Sequence, residues 1–290
     1  MKILNFGSLN IDHVYQMPHF VVAGETLASL RYDKNAGGKG MNQSVALARA
    51  GADVYHAGQI GQDGLFLKEL LDRESIHTEW LKIGEVPTGH AVIQVDPSGQ
   101  NCILIYGGAN AAITEEYVRL VFSAFEPGDY VLFQNEITGL PVMLKLASAA
   151  GLKTILNPSP INDSIAESDL SLVDFFIMNE IEGCAITGKK DPIEILDEMK
   201  RRYPKAGVVL TLGSEGAYYS CGSECFFEAA RSVTAVDTTA AGDTFTGYFF
   251  ACLLAGDSPD VALRMATDAA ALTVSRSGAA GSIPRRAEIQ

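Results

Sequence analysis

Short apolar runs alternate with amphipathic stretches along almost the whole chain. The segments "KILNF", "DVYHAGQ", "YVLFQ", "TILNP", "DFFIM" and "GVVLTLG" are near-continuously apolar and are bounded by Gly, Pro, Asn or Asp. That is the pattern of strands buried on both faces. Between them, residues 41–50, 65–75, 115–125, 141–150 and 191–203 carry apolar positions at helical spacing. The rhythm predicts an α/β fold, a doubly wound, mostly parallel sheet flanked by helices. No repeat, low-complexity tract or linker interrupts it, so a single domain over 1–290 is expected.

Two excursions, 13–33 and 86–107, read as strands without intervening helices. "TGHAVIQVDPSGQNCILIY" has the form of a hairpin turning at Asp96-Pro97-Ser98-Gly99. Within it Ala91, Ile93 and Val95 share one face, and His90, Val92 and Gln94 share the other. A small β-sheet supplied by two excursions suggests a lid over the ligand edge of the main sheet. The alternative is a β-extension with no role in binding.

Composition narrows the function. Apolar residues make up 47% and charged residues 20%, with 22 Lys+Arg against 35 Asp+Glu and a net charge of −13. A chain so acidic is a poor partner for nucleic acid or an anionic membrane. "MKILNFGSLNID" is broken too early by polar residues to resemble a signal peptide, and no window has the length of a membrane span. The five cysteines are scattered without a zinc pattern. A cytoplasmic protein with reduced thiols is expected.

Ligands of open α/β sheets bind beyond the carboxyl ends of the strands, so the segments after each strand carry the chemistry. After "KILNF", Asn10 and Asp12 stand two apart and point the same way in extended chain. An amide beside a carboxylate can grip vicinal hydroxyls, although a polar turn would look the same. "NAGGKGMNQSVALARAG" places Gly37, Gly38 and Gly40 where backbone could approach a ligand, ahead of a helix. It is neither a Walker A loop nor a dinucleotide fingerprint. "GCAITGKK", residues 183–190, mimics the former but lacks the Ser/Thr and ends like a helix at Gly188. In "MNEIEG", Asn179 and Glu182 could reach a Mg2+–phosphate complex through water, or be a helix cap with first-turn acids. "FQNEI" puts Glu136 at another strand end.

"AVDTTAAGDTFTGYF", residues 235–249, is more telling. A helix beginning near Ala241-Gly242 leaves the N–H groups of 240–243 unpaired at the positive end of its dipole. Ala240, Ala241 and Gly242 carry nothing that would keep a phosphate from them, which makes an anion hole for a transferring phosphoryl group. Asp243, in the first turn, can then accept the proton of an attacking hydroxyl.

"GGKGMNQSVALARAG" and "DTTAAGDTFTGYF" resemble the two signatures of the PfkB (ribokinase-like) carbohydrate kinases. "GSLNIDH", "NPSP", "NEIE", "TLGSEG" and "SRSGAAGSIP" follow in the family's order, so the resemblance covers essentially the whole chain. It implies ATP-dependent phosphorylation of a small sugar at its hydroxymethyl group, D-ribose first among them. Asn10, Asp12, Gly38, Lys39, Asn42 and Glu136 would hold the sugar, and Asp243 would be the general base. Ala240, Ala241 and Gly242, with Asp243, would supply the anion hole. The resemblance further implies that Asn179, Thr211, Gly213, Gly216 and Thr267 line the nucleotide site and that Glu182 holds Mg2+ through water. It implies a monovalent cation, K+, near Asp237, Thr239, Thr273, Arg276, Gly278 and Ser282, and a homodimer formed through the lid.

The chain departs from the family pattern near Phe66, where the usual Gly a few residues after the acid of "IGQDGLFLKEL" is replaced, at Met41, usually small, and at His90, commonly apolar. Met41 and His90 are therefore the positions expected to alter the sugar pocket or the lid contacts. Another sugar or a nucleoside as substrate is the nearest rival, although no aromatic cluster flanks the first signature. A non-catalytic sugar-binding regulator is the alternative of a different class, and the intact Asp243 segment counts against it.

Overall fold

A computed structural model describes residues 1–289. The chain opens with β1 (Ile3–Phe6), buried throughout, and leaves the sheet at Gly7. β2 (Asn10–Gln16) and β3 (Arg31–Gly37) pair antiparallel before α1 (Lys39–Ala50). Then come β4 (Val54–Gly61), α2 (Leu65–Arg73), β5 (Leu81–Gly84) and the hairpin of β6 (Gly89–Val95) with β7 (Asn101–Tyr106). The alternation resumes with α3 (Glu115–Phe122), β8 (Tyr130–Gln134), α4 (Leu140–Ala149), β9 (Lys153–Asn157) and α5 (Asp163–Glu167). It continues through β10 (Phe175–Asn179), α6 (Glu180–Thr187), α7 (Pro192–Arg202) and β11 (Gly207–Thr211). β12 (Gly216–Cys221), β13 (Glu224–Ala229), α8 (Ala241–Ala255) and α9 (Pro259–Val274) complete the chain's main elements.

Nine strands form the main sheet in the order β13-β12-β11-β10-β9-β8-β1-β4-β5, parallel from β11 to β5. Helices cover both faces. β1 shows how: Ile3 enters the core beneath α1 and α8, while Leu4 and Phe6 enter the core beneath α3 and α4. The apolar runs read from the sequence are strands here, and the expected helices form within a few residues of their predicted bounds. The β12–β13 hairpin and β5 were not anticipated. The hairpin is a half-exposed antiparallel edge whose mixed residues give no continuous apolar run, and β5 is four residues long with two of them exposed.

The second sheet has the order β3-β2-β6-β7 and matches the predicted lid. Its strands start earlier than 13–33 suggested, because β2 begins at Asn10, paired with Gly37 of β3 and Gly89 of β6. Residues 17–30 form the connection between β2 and β3.

Helix α8 is buried from Asp243 to Cys252. It crosses α1 at Gly247, where an added Cβ would lie 2.3 Å from the Ala46 Cβ and 2.6 Å from the Leu47 nitrogen. That close approach sets both helix N-termini side by side at the carboxyl edge of the sheet. Met41 is wholly buried in the core here, and Phe66 packs partly against it with Lys34 over its ring at 4.4 Å. Gly188 ends α6 with φ 76°, so "GCAITGKK" is a helix terminus and not a phosphate loop.

Candidate active site

The N-terminus of α8 is opened by Ala240, which holds φ 62° and provides no side-chain cap. The N–H groups of Ala240, Gly242 and Asp243 donate to no protein acceptor among the described residues. Ala241 differs from the expectation of four free donors, because its N–H closes a turn onto the Thr238 carbonyl at 3.3 Å. The space in front of Gly242 is open, since an added Cβ would meet nothing within 4 Å. The helix therefore presents unsatisfied donors and its positive pole to an accessible cleft.

One turn before the crossing point on α1, Asn42 and Gln43 reach Asp243. Asn42 donates to one carboxylate oxygen at 3.1 Å and Gln43 to the other at 2.9 Å. Asp243 is 6% exposed, so these two amides stand in for much of the water it has lost. The Asn42 Oδ1 is buried without a partner among the described residues, a spare acceptor beside the carboxylate.

Across the cavity, β2 supplies Asn10 and Asp12. Asn10 is fixed by Asn110, which donates to its Oδ1 at 2.7 Å and also pairs with the Leu9 backbone in both directions. Asp12 accepts no hydrogen bond from the protein among the described residues. Burial, with the charge of Glu136 adding to it, lifts its carboxyl to about 6. Glu136 itself is raised by burial, against the pull of the Ser8 hydroxyl and the Lys39 N–H at 2.9 Å that donate to it. Lys39 sits among acids: Asp243 first, then Glu136 and Glu182, hold its ammonium above the ordinary lysine range despite burial.

The glycines of the first signature are explained by packing as well as by ligand access. An added Cβ at Gly40 would fall 2.4 Å from the Ser8 nitrogen, and one at Gly37 would fall 2.1 Å from the Asp12 carboxylate. Only Gly38, with φ 94°, both needs a positive-φ conformation and lines the cavity. Gly40 therefore serves the contact between α1 and the β1–β2 loop, where the sequence suggested a ligand.

Two cavities meet at the start of α8. The larger, about 1020 Å3, is lined by Asn10, Asp12, Lys39, Asn42, Glu136 and Asp243, with Val14, Ala91, Ile93 and Ile105 of the lid as an apolar wall. Among the described residues no aromatic side chain lines it. The smaller, about 360 Å3, is bounded by Thr211, Gly213, Gly216 and Thr267 and by Ala241 and Gly242 of α8. The Thr267 hydroxyl there is buried without a partner. Asn179 and Glu182 form a reciprocal capping box on α6: the Glu182 N–H donates to the Asn179 side chain at 2.9 Å, and the Asn179 N–H to Glu182 at 3.0 Å. Neither lines the two cavities, although Glu182 is near enough to act on Lys39.

The residues expected around a monovalent cation are brought together in part. Asp237 accepts from the N–H of Thr239 at 2.9 Å and of Gly278 at 3.0 Å, tying the loop before α8 to the loop after α9. The Thr273 hydroxyl is turned inward to Thr244 and Ala269, the Ser282 hydroxyl bonds the Ala279 carbonyl, and the Arg276 side chain pairs with Glu288. Of these residues, Asp237, Thr239 and Gly278 stay at the junction of the two loops and line the larger cavity. His90 lies on the outer face of the lid against His13 and Tyr106, and neither it nor Met41 lines the larger cavity.

Ser8, Gln43 and Asn110 were not singled out from the sequence. Ser8 lay in the same strand-end segment as Asn10, which was a usable signal. Gln43 reads as an ordinary helix residue, and its meaning depends on an aspartate two hundred positions away.

Comparison with known proteins places the chain in a family. The pattern of the pfkB family carbohydrate kinases matches residues 1–286. The ribokinase of Haemophilus influenzae is 37% identical over 297 residues, covering 97% of this chain and 95% of its own. The crystal structure of Thermotoga maritima ribokinase superposes with a TM-score of 0.88 at 33% identity, covering 99% of this chain and 97% of that one. The Arabidopsis thaliana ribokinase complexed with ribose and ATP gives a TM-score of 0.85 at 30% identity, with coverage of 99% and 96%. The chain belongs to the pfkB family of carbohydrate kinases, ATP-dependent sugar kinases with the ribokinase-like α/β fold.

Proposed function

We propose that the chain transfers the γ-phosphoryl group of ATP to the 5-hydroxymethyl oxygen of D-ribose. The observation that carries this reading is the start of α8, which sets free N–H donors and the Asp243 carboxylate between a polar, lid-covered cavity and a second cavity. The sugar occupies the larger cavity. Asn10, Asp12 and Glu136 grip its hydroxyls, with Gly38, Lys39 and the spare acceptor of Asn42 completing the contacts. The nucleotide occupies the smaller cavity along Thr211, Gly213, Gly216 and Thr267, and Asn179, outside the wall of that cavity, would reach the phosphates through water.

Asp243 takes the proton of the hydroxymethyl group as its oxygen attacks phosphorus, and ADP leaves on the opposite side. The Ala240, Gly242 and Asp243 N–H groups, with the Ala241 N–H released from its long turn bond, offset the charge growing on the phosphoryl oxygens. Lys39 adds a fixed positive charge on the sugar side. Glu182, with both oxygens engaged in its cap, suits contact with Mg2+ through water, and Mg2+ would neutralise phosphate charge. The oxygen-only donors around Asp237 suit K+, which would order the loop leading into the anion hole. No described helix is long and apolar enough to cross a membrane, and we place the activity in the cytoplasm, in a homodimer joined through the lid.

Ribose is favoured over a nucleoside because no aromatic side chain is available to stack a base. It is favoured over a phosphorylated sugar because Lys39 is already surrounded by acids, and Arg31 at the cavity rim is paired with Asp33 at 2.7 Å. The test is ADP release with Mg-ATP and K+ across ribose, deoxyribose, fructose, fructose 6-phosphate, adenosine and inosine. Highest kcat/KM with ribose, falling when K+ is exchanged for a large organic cation, is expected. A preference for inosine or adenosine would overturn the sugar assignment.

A further inference from the structure

A buried chain of amides runs beneath Asp243, and its direction is fixed from both ends. Asn5 donates through Nδ2 to the Gly40 carbonyl at 2.7 Å and to Ser44 at 2.9 Å. A carbonyl can only accept, so the Asn5 Oδ1 must face the other way, where it receives Gln134 Nε2 at 2.9 Å. The second hydrogen of Gln134 goes to the Gln43 Oε1 at 2.6 Å. Asn157 is set in the same manner by the Ile177 carbonyl, at 3.0 Å, which turns its Oδ1 toward Gln43 Nε2 at 3.1 Å. With its oxygen taken by Gln134 and one hydrogen taken by Asn157, Gln43 has a single hydrogen left, and that one meets Asp243 Oδ1 at 2.9 Å. Gln43, Gln134 and Asn5 are wholly buried, so water cannot substitute for any member. The chain ends through Ser44 on His56, whose imidazole is kept neutral by burial, down to about 3.

We propose that Gln43 is a positioning residue for phosphoryl transfer: its amide, aimed by Gln134 and Asn157, clamps one oxygen of Asp243 and fixes the orientation of the carboxylate toward the sugar. This rests on Asp243 being the base. Asn42 cannot replace the clamp, because it also lines the sugar cavity and its carbonyl is free to engage substrate. Gln43 lies behind Asp243 and is absent from the cavity wall, so its loss should leave ground-state binding alone and misplace the base only when the proton moves.

The experiment compares Gln43→Met, Gln43→Glu, Gln134→Met and Asp243→Asn for sugar-dependent ADP formation, with sugar affinity measured by calorimetry. For Gln43→Met, kcat should fall on the order of 10- to 100-fold while both KM values stay within about twofold. Gln43→Glu keeps the shape and the acceptor for Gln134, and so covers the case in which the Met variant does not fold. It should lose turnover in the same way, because it places a second carboxylate where Asp243 needs a donor. Gln134→Met should lower kcat less, and adding it to a Gln43 variant should bring little further loss. Normal kcat in the Gln43 variants, beside an inactive Asp243→Asn, would overturn the proposal and leave the base assignment standing. Turnover by Asp243→Asn near the unmodified rate would remove the base assignment, and the proposal with it.

Discussion

Asp243 and Asp12 face the same cavity, yet the protein treats the two carboxylates in opposite ways. Asp243 is held at the core end, with an amide on each oxygen and helix α8 locked against α1 one turn away. Asp12 belongs to the lid sheet, accepts no hydrogen bond among the described residues, and is lifted to about 6 by burial and by Glu136. A group that must receive a proton at one moment benefits from fixed orientation before substrate arrives. A group that must grip a hydroxyl can instead be left without partners, so that the ligand's donors meet no competitor.

The contrast breaks first at Asp243. Asp243→Asn should lower kcat by on the order of 10²- to 10⁴-fold with sugar affinity nearly retained, checked by calorimetry beside kinetics. If binding fell as far as turnover, the two carboxylates would share a role and the distinction would fail. Asp12→Asn should do the reverse, raising sugar KM by about 10- to 100-fold, as the loss of a charge-assisted hydrogen bond implies.

The same replacement sharpens the comparison through stability. The unfolded chain binds the Asp12 proton near 3.8 and the folded chain near 6. Ionised Asp12 therefore opposes folding fully above about pH 6, and the penalty fades as pH falls toward 3.8. Asp12→Asn should raise the melting temperature of the sugar-free protein by roughly 2–4 °C at pH 7.5 and hardly at all at pH 4. In the unmodified enzyme, sugar KM should climb as pH drops through 6. Glu136, raised as well, with Lys39 beside it, broadens that limb.

How much of this was legible follows from the same contrast. The strand runs showed in the sequence because strands buried on both faces are mostly apolar even where they carry an occasional polar residue such as Asn5 or Gln134, and the start of α8 showed because small residues stand there in a row. The β12–β13 edge left no such trace, being half exposed. Asn179 and Glu182 supported two readings, and the capping box is present whatever else they contact. Gln43, Gln134 and Asn157 were hidden for another reason. Amides in a helix or at a strand end are unremarkable singly, and only the fold brings three of them into one chain ending at Asp243. Met41 and His90 divide the expectation made for them, because departure from a pattern does not say which way a side chain points: Met41 enters the core, while His90 makes contacts on the outer face of the lid.

The smallest effect concerns the lid itself. Along β7, Leu104 is 70% exposed and Tyr106 50% exposed, and the strand lies at the edge of its sheet. On the outer face Tyr106 packs against His90, His90 against His13, and His13 against Tyr32, a continuous aromatic surface turned away from the larger cavity. An apolar edge strand left in water invites pairing with another chain, and a second copy of the lid would cover it. Leu104→Glu places a charge on that face without touching the cavity. It should convert a dimer to monomer in sedimentation velocity, while sugar KM rises by no more than about threefold if the polar grip is that proposed for Asn10, Asp12 and Glu136. A monomeric unmodified protein would show that one copy of the lid suffices. A large loss of sugar affinity on dissociation would instead make the second lid part of the site, and the division between a fixed core end and an adaptable lid would have to include the partner.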